Sequence, residues 1–226
     1  MSRLVLALDA STYQGSAALI EGSRVLGERE VAMRGEREER LLPAVAELLE
    51  SAGVKTGELA LVCCGGGPGS FTSLRIAAAI AKGIAFARGI PLATRSSLSL
   101  MVAGTPGLRP GLYLSALDAL RGQLFVAPIE LLPSGDVIER GPIEMLSAPE
   151  LSQRVRATGA TAIGSAQALA GRPHARGFAG PALSGAGSAA AGPVVVDVAS
   201  WEPEYGRQAE AQARWEFAHG RPLSSA

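Results

Sequence analysis

The stretch from Leu59 to Arg88 constrains the fold more than any other, because an apolar run, a cluster of glycines and a long apolar helical segment meet there without a gap. Leu59 to Cys64 reads as a strand buried on both faces, since it is continuously apolar rather than alternating. Gly65-Gly66-Gly67-Pro68-Gly69 ends it, and a helix follows from about Phe71 to Arg88. Such a junction presents backbone N–H groups and a positive helix end, both suited to an anion. It is not a Walker A loop, because no Gly-Lys-Ser/Thr follows at the required spacing, and Gly-x-Gly-x-x-Gly is not met either. Asp9-Ala10-Ser11-Thr12 places an acid and hydroxyls at the end of the first strand, where nucleotide enzymes hold magnesium or phosphate. Asp9, Ser11, Thr12, Gly67, Gly69 and Ser70 thus outline a vestigial nucleotide or anion site. The structural alternative stays open: an Asp/Ser turn that satisfies its own backbone, glycines at positive φ, and Ser70 or Thr72 capping the helix.

The helix after the turn carries a second message. Leu74, Ile76, Ala77 to Ala81 and Gly83 to Ala87 leave hardly any polar face, with Arg75 and Lys82 on one edge. A helix apolar almost all round needs cover on more than one side, and small residues admit a close neighbour. One side can pack on its own sheet. The other calls for the helix expected over Leu41 to Ala52, with Gly53 at its end, or for a second protein. The candidate partner surface from these two helices is Leu42, Val45, Leu49, Leu74, Arg75, Ala78, Ala81, Lys82 and Ala85.

Around the junction the pattern predicts a three-strand meander (Leu4 to Leu8, Ser16 to Ile20, Arg24 to Val31), the helix from Leu41, the Leu59 strand, the Phe71 helix, a strand at Pro91 to Thr94 and a helix at Ser96 to Ala103. An antiparallel meander followed by crossover units gives a mixed sheet with helices on its faces, as in ribonuclease H-like and actin-like domains. The glycine- and proline-rich Gly104 to Pro110 sets the expected boundary between domains 1–104 and 105–226. Strands follow at Leu112 to Leu117 and Gln123 to Leu131, joined by a turn in which Asp118 and Arg121 can pair, then a helix at Pro149 to Thr158 and short strands at Thr161 to Gly164 and Val194 to Val198. Residues 171–193 are mostly glycine, alanine, serine and proline and are expected to form a flexible loop; Glu202 to Ala218 is helical in composition.

Charge and rare residues narrow the function. Lysine plus arginine balances aspartate plus glutamate at 21 each, so no global basic field drives tight RNA binding by this chain alone. Trp201, Tyr205 and Trp215 could offer a stacking surface but read better as anchors of the terminal helix. The start lacks a signal-peptide core and no run is long enough to span a membrane, which points to the cytoplasm. Cys63 and Cys64 are adjacent and read as reduced, partly buried thiols. His174 and His219 form no zinc-binding pair and belong to no Gly-x-Ser-x-Gly triad; both read as solvated surface residues. No catalytic or metal-ligating residue is assigned.

Leu6-Ala7-Leu8-Asp9-Ala10-Ser11-Thr12, Glu39-Arg40-Leu41-Leu42-Pro43, Gly67-Pro68-Gly69-Ser70-Phe71-Thr72-Ser73-Leu74-Arg75-Ile76, Ala81-Lys82-Gly83, Ser96-Ser97-Leu98 and Ala116-Leu117-Asp118-Ala119 with Arg121-Gly122 together resemble the TsaB (YeaZ) family, smaller and degenerate relatives of the catalytic TsaD subunit. The Gly-Pro-Gly-Ser-Phe-Thr segment is the specific part, and the likeness covers roughly residues 4 to 125, becoming loose beyond 130 apart from Tyr205-Gly206-Arg207. The family often has His-Ser before Glu-Arg-Leu-Leu-Pro, where this chain has Arg37-Glu38, and often Gly where Ser73 stands.

The resemblance implies an α/β fold of two ribonuclease H-like, actin-like (ASKHA) lobes with mixed sheets, the second lobe reduced. It implies a non-catalytic scaffold that binds a TsaD-like subunit, with a TsaE-like ATPase, for threonylcarbamoyl transfer to the adenosine beside the anticodon of tRNA. ATP and magnesium would belong to the partner subunits and none to this chain; it would touch tRNA only through the complex and form a homodimer when alone. A stand-alone actin-fold nucleotide enzyme, such as a small-molecule kinase using Asp9 and the Gly65 to Ser70 turn, is the rival reading. A glycoprotease-like peptidase is a third, which the histidine content disfavours.

Overall fold

The computed structural model describes residues 3–35, 38–165, 169, 171–180 and 192–206. The first lobe is built on the predicted meander: β1 (Leu4–Asp9), β2 (Gln14–Glu21) and β3 (Arg24–Ala32) pair antiparallel, with Leu6 opposite Leu19 and Ala7 opposite Ala18. After α1 (Leu41–Ser51), β4 (Leu61–Gly65) adds parallel to β1, and after α2 (Phe71–Arg88), β5 (Leu92–Arg95) adds parallel to β4. The sheet order is β11-β5-β4-β1-β2-β3, where β11 (Val194–Val196) closes the far edge antiparallel to β5. Gly53 and Gly89 end the two helices with left-handed backbone that a side chain would oppose.

The central strands are apolar without interruption because this sheet is covered on both faces. Leu6, Leu8, Leu19, Val62 and Cys64 lie under α1 and α2, against Leu41, Val45, Leu48, Ala77, Ala81 and Ala85. Val5, Ala7, Ile20, Leu61 and Cys63 face the other way, toward Leu100, Ala175 and Phe178. Cys63 and Cys64 therefore point to opposite faces, and both are buried free thiols.

The second lobe is a smaller sheet of β6 (Gly111–Asp118), β7 (Gln123–Leu131), β8 (Val137–Glu139) and β10 (Thr161–Gly164) in the order β10-β6-β7-β8, with β9 (Glu144–Ser147) also on β7. α3 (Ser97–Gly104) covers one face through Leu98, Met101 and Val102, and α4 (Ala148–Thr158) covers the other through Leu151 and Val155. α3 also gives Leu100 to the first lobe, so it is the helix wrapped by both lobes. The mixed two-lobed α/β architecture is the one expected.

Four expectations change. The first lobe does not end at Gly104, because β11 returns to its sheet and the 3-10 turn Ala175–Phe178 packs on its open face. The stretch 171–180 is accordingly structured; 181–191 lie outside the described residues. His174 is not solvated but 3% exposed, beneath β3. Residues 202–206 form no helix, and the remainder of that expected element, with Trp215 and His219, lies outside the described residues. β8 and β9 were not anticipated: each is short and mixed in polarity, so alternation has no length in which to show. No helix of the described residues is long and apolar enough to cross a membrane.

Candidate functional site

The glycine-rich turn is tied down on every side. The Gly66 N–H donates to the Arg95 carbonyl (2.8 Å), while the Gly66 carbonyl accepts from the Glu204 N–H (2.8 Å). The Gly67 N–H donates to Ser97 Oγ (3.2 Å), and the Ser97 N–H donates to the Gly67 carbonyl (2.7 Å). The Ser70 N–H donates to the Ser11 carbonyl (2.7 Å). Gly69 rests so closely on that carbonyl that a Cβ would collide with its oxygen. The N–H groups of Gly66, Gly67 and Ser70 are thus spent inside the protein, and glycine serves close backbone contact rather than a phosphate cradle. Nor does Ser70 cap α2 through its side chain; its hydroxyl lies 3.0 Å from that of Ser73.

Asp9 sits behind this turn and is not a surface acid. It is 1% exposed, and its carboxylate accepts from Ser97 Oγ (2.7 Å), Ser11 Oγ (2.8 Å) and the Ser11 N–H (3.1 Å). A Cβ on Gly65 would collide with Asp9 Oδ2, so β4 shuts the carboxylate in. Burial pushes the carboxyl above the usual range, and the bonds from Ser97 and Ser11 pull it back. Asp9 joins the ends of β1 and β4 to the start of α3, and its carboxylate is enclosed rather than presented at the surface.

Between the lobes lies a cleft of about 1500 Å³. Ser11, Thr12, Gly69 and Ser70 border it, together with Tyr13, Phe71, Tyr205, Arg121 and Arg172; Asp9 and Gly67 do not. The Gly67 side of the turn faces a second, smaller cleft with Arg95 and Glu139. Asp118, predicted as a partner of Arg121, instead accepts from the Leu120 N–H (2.7 Å).

The two-helix surface is also redrawn. Val45, Leu49, Leu74, Ala78, Ala81 and Ala85 are buried in the chain's own core, so the cover for that side of α2 is internal: the sheet and α1. Lys82 clamps the chain's later segment, its Nζ donating to the Trp201 carbonyl (2.8 Å) and pairing with Glu202 (3.4 Å). Of the nominated residues, Leu42 (50% exposed) and Arg75 face outward. The outward stripe of α2 runs through Thr72, Arg75, Ala79, Gly83 and Phe86, flanked by half-buried Ile76, Ile80 and Ile84. Phe86 is 81% exposed, and a Cβ on Gly83 would meet nothing within 4 Å. The sequence, apolar all round this helix, declares the helix but not which arc faces inward. The buried Leu74, Ala81 and Ala85 fix that arc, and the outer stripe follows half a turn away.

Residues 30–139 match the protein family described as TsaD, tRNA N6-adenosine threonylcarbamoyltransferase. A Bacillus subtilis protein named tRNA threonylcarbamoyladenosine biosynthesis protein TsaB is 28% identical over 93% of this chain and 97% of its own length. The Escherichia coli protein of the same name is 33% identical, the match covering 54% of this chain and 53% of that protein. A crystal structure from Pseudomonas aeruginosa, described as an uncharacterized protein with similarity to peptidase YEAZ, superposes with a TM-score of 0.74 at 25% identity, covering 91% of this chain and 100% of the other. The chain is thus similar to proteins named TsaB along most of its length and to a YeaZ-like structure in fold. Against the E. coli protein the match spans about half the length. The mixed α/β fold described above is shared with that P. aeruginosa protein over 91% of this chain.

Proposed function

We propose that this chain is a TsaB-type, non-catalytic subunit that holds a TsaD-like partner for threonylcarbamoyl transfer to the adenosine beside the anticodon of tRNA. The observation that carries the reading is the outward stripe of α2, where Ala79, Gly83 and the 81% exposed Phe86 lie together with no cover from the described residues. Small residues flanked by isoleucines and an aromatic anchor suit a second helix at close range. The names of the relatives direct the partner's identity, since they are called tRNA threonylcarbamoyladenosine biosynthesis proteins. Alone, the same stripe pairs two copies of this chain. A TsaE-like ATPase joins the assembly in the cytoplasm, and ATP and magnesium are bound by the partners rather than here. The test is reconstitution: this chain co-elutes with its own species' TsaD-like protein and restores tRNA modification that neither supports alone. Co-elution without any effect on modification, or no co-elution, refutes the reading.

A rival has one observation in its favour, the cleft of about 1500 Å³ between the lobes, large enough for a nucleotide enzyme's site. Against it stand the N–H groups of Gly66, Gly67 and Ser70, bonded within the chain, and the enclosed Asp9. Titration calorimetry with ATP and magnesium separates the two: stoichiometric binding with turnover by this chain alone favours the kinase-like enzyme.

A further inference from the structure

The mouth of the inter-lobe cleft carries a pattern that partner holding does not explain. Ser11 and Ser70 are joined by a backbone hydrogen bond, and Tyr13 and Phe71, which follow them, both border the cleft. Each carries an arginine over its ring: Arg34 lies 4.8 Å from the centroid of Tyr13, and Arg75 lies 5.3 Å from that of Phe71. Phe71 also packs against Tyr205 at 4.5 Å. Tyr13 is 43% exposed, so core packing gives no reason for an aromatic ring at that place. Opposite, the β6–β7 turn points Leu120 and Arg121 at the cleft, and both hold left-handed backbone, with φ of 61° and 56°. A turn chosen for stability alone would carry Asn-Gly there, since residues with side chains adopt this conformation at a cost. Leu120 is 49% exposed, so the chain's own core does not call for its side chain either.

The cleft lining carries Asp118 beside Arg121, and Arg172 there is paired with Glu30. Arg34, Arg75 and Arg121 make no ion pair among the described residues, although the whole chain is formally neutral. Uncommitted guanidinium groups stacked on aromatic rings offer flat faces to bases and donors to phosphates. Two such platforms beside an open cleft suit a strand that runs across them.

We propose that this mouth binds an unpaired stretch of RNA, with bases stacking on Tyr13 and on the Phe71–Tyr205 pair and phosphates meeting Arg34, Arg75 and Arg121. The inference rests on the tRNA-modification reading for the identity of the RNA, but it makes the contact direct rather than mediated by a partner. The test is fluorescence anisotropy with a labelled anticodon stem-loop RNA, using the chain alone and the chain with its TsaD-like partner. Tyr13→Ala and the double change Arg34→Gln with Arg121→Gln avoid α2, so co-elution with the partner and the melting temperature serve as controls. Each is expected to weaken RNA binding at least about tenfold. For the double change, the slope of log affinity against log salt should fall by about 0.7 for each phosphate that is no longer neutralised. Affinities within about twofold of the parent, absence of RNA binding in both preparations, or displacement of the RNA by equimolar ATP would overturn the proposal. If the variants weaken RNA binding but the chain never co-elutes with the partner, this inference survives and the partner reading fails. Unchanged RNA binding with partner pairing intact gives the reverse result.

Discussion

Gly83 offers the sharpest test of the α2 surface, because stability and assembly should move in opposite directions. It stands in the interior of α2 with φ outside the left-handed region, and a Cβ there meets nothing within 4 Å. Nothing in the isolated chain requires glycine. Gly83→Ala should therefore gain the full helix-propensity difference, about 1 kcal/mol, which for a chain of this size raises the melting temperature by about 2–4 °C. Gly83→Leu should keep most of that gain, since the side chain projects into open space. Against a partner helix at about 8–10 Å the added leucine overpacks the interface, typically by about 1–3 kcal/mol, or roughly 5- to 140-fold in affinity. Melting curves followed by circular dichroism read the first effect, and size-exclusion chromatography with light scattering, with and without the TsaD-like protein, reads the second. A Gly83→Leu chain that pairs as tightly as the parent refutes the docking argument. A Gly83→Ala chain that melts lower refutes the premise that the space is empty.

Other consequences are independent of that surface. Both thiols are buried and their ionisation is opposed by burial, that of Cys63 being pushed up to about 12, so neither should react with a thiol-specific disulfide reagent at neutral pH until the chain is unfolded. Gly69→Ala drives a Cβ into the Ser11 carbonyl oxygen and should cost more than about 3 kcal/mol in denaturant unfolding; a loss under about 1 kcal/mol would contradict the close approach. His174 accepts the Arg176 N–H at Nδ1 (3.0 Å), so its Nε2 carries the proton, with Nε2 3.0 Å from the Glu30 carboxylate. Burial, followed by the Arg176 charge, holds its pKa below 6.5 in the folded state, so the unfolded chain binds the proton first. Stability contributed here is present above pH 6.5 and lost as pH falls through the folded value, by at most about 1.4 kcal/mol per pH unit. His174→Gln should flatten the decline as pH falls below 6.5, and an unchanged slope would rule the linkage out.

The parts legible in the sequence were those fixed by local periodicity. α2 spans the predicted Phe71 to Arg88 and β7 the predicted Gln123 to Leu131, because each is long and bounded by glycine-containing turns, while the four-residue β10 matches the predicted Thr161 to Gly164 despite its length. The return of 171–178 and 194–196 to the first lobe was not legible. Composition around Gly171 to Pro193 is poor in apolar residues, yet Ala175 and Phe178 alone suffice to fill the gap over β1, β2 and β4. A buried histidine there has no local signal either, since its partners Glu28 and Glu30 lie on β3, far earlier in the chain. For the helix surface, apolar residues all round α2 concealed which arc faced inward until the sheet was in place.

Glycine carries opposite meanings at two places in this chain. Gly65 and Gly69 are required by atoms already present, the Asp9 carboxylate and the Ser11 carbonyl, and the knot they form holds β1, β4, α2 and α3 in one unit. Gly83, on the helix that leaves that knot, faces empty space. Chain stability accounts for the first pair and opposes the second, by about 1 kcal/mol in a helix interior. A residue that costs stability, beside an exposed Phe86, has its reason outside the isolated chain. The same knot joins the segments that carry Tyr13 and Phe71 at the cleft border, so one mount would serve both the proposed partner helix and the proposed RNA platforms. If both proposals hold, docking along α2 would fix where a bound strand lies relative to the partner's chemistry, a way for a subunit to contribute to a reaction by positioning alone.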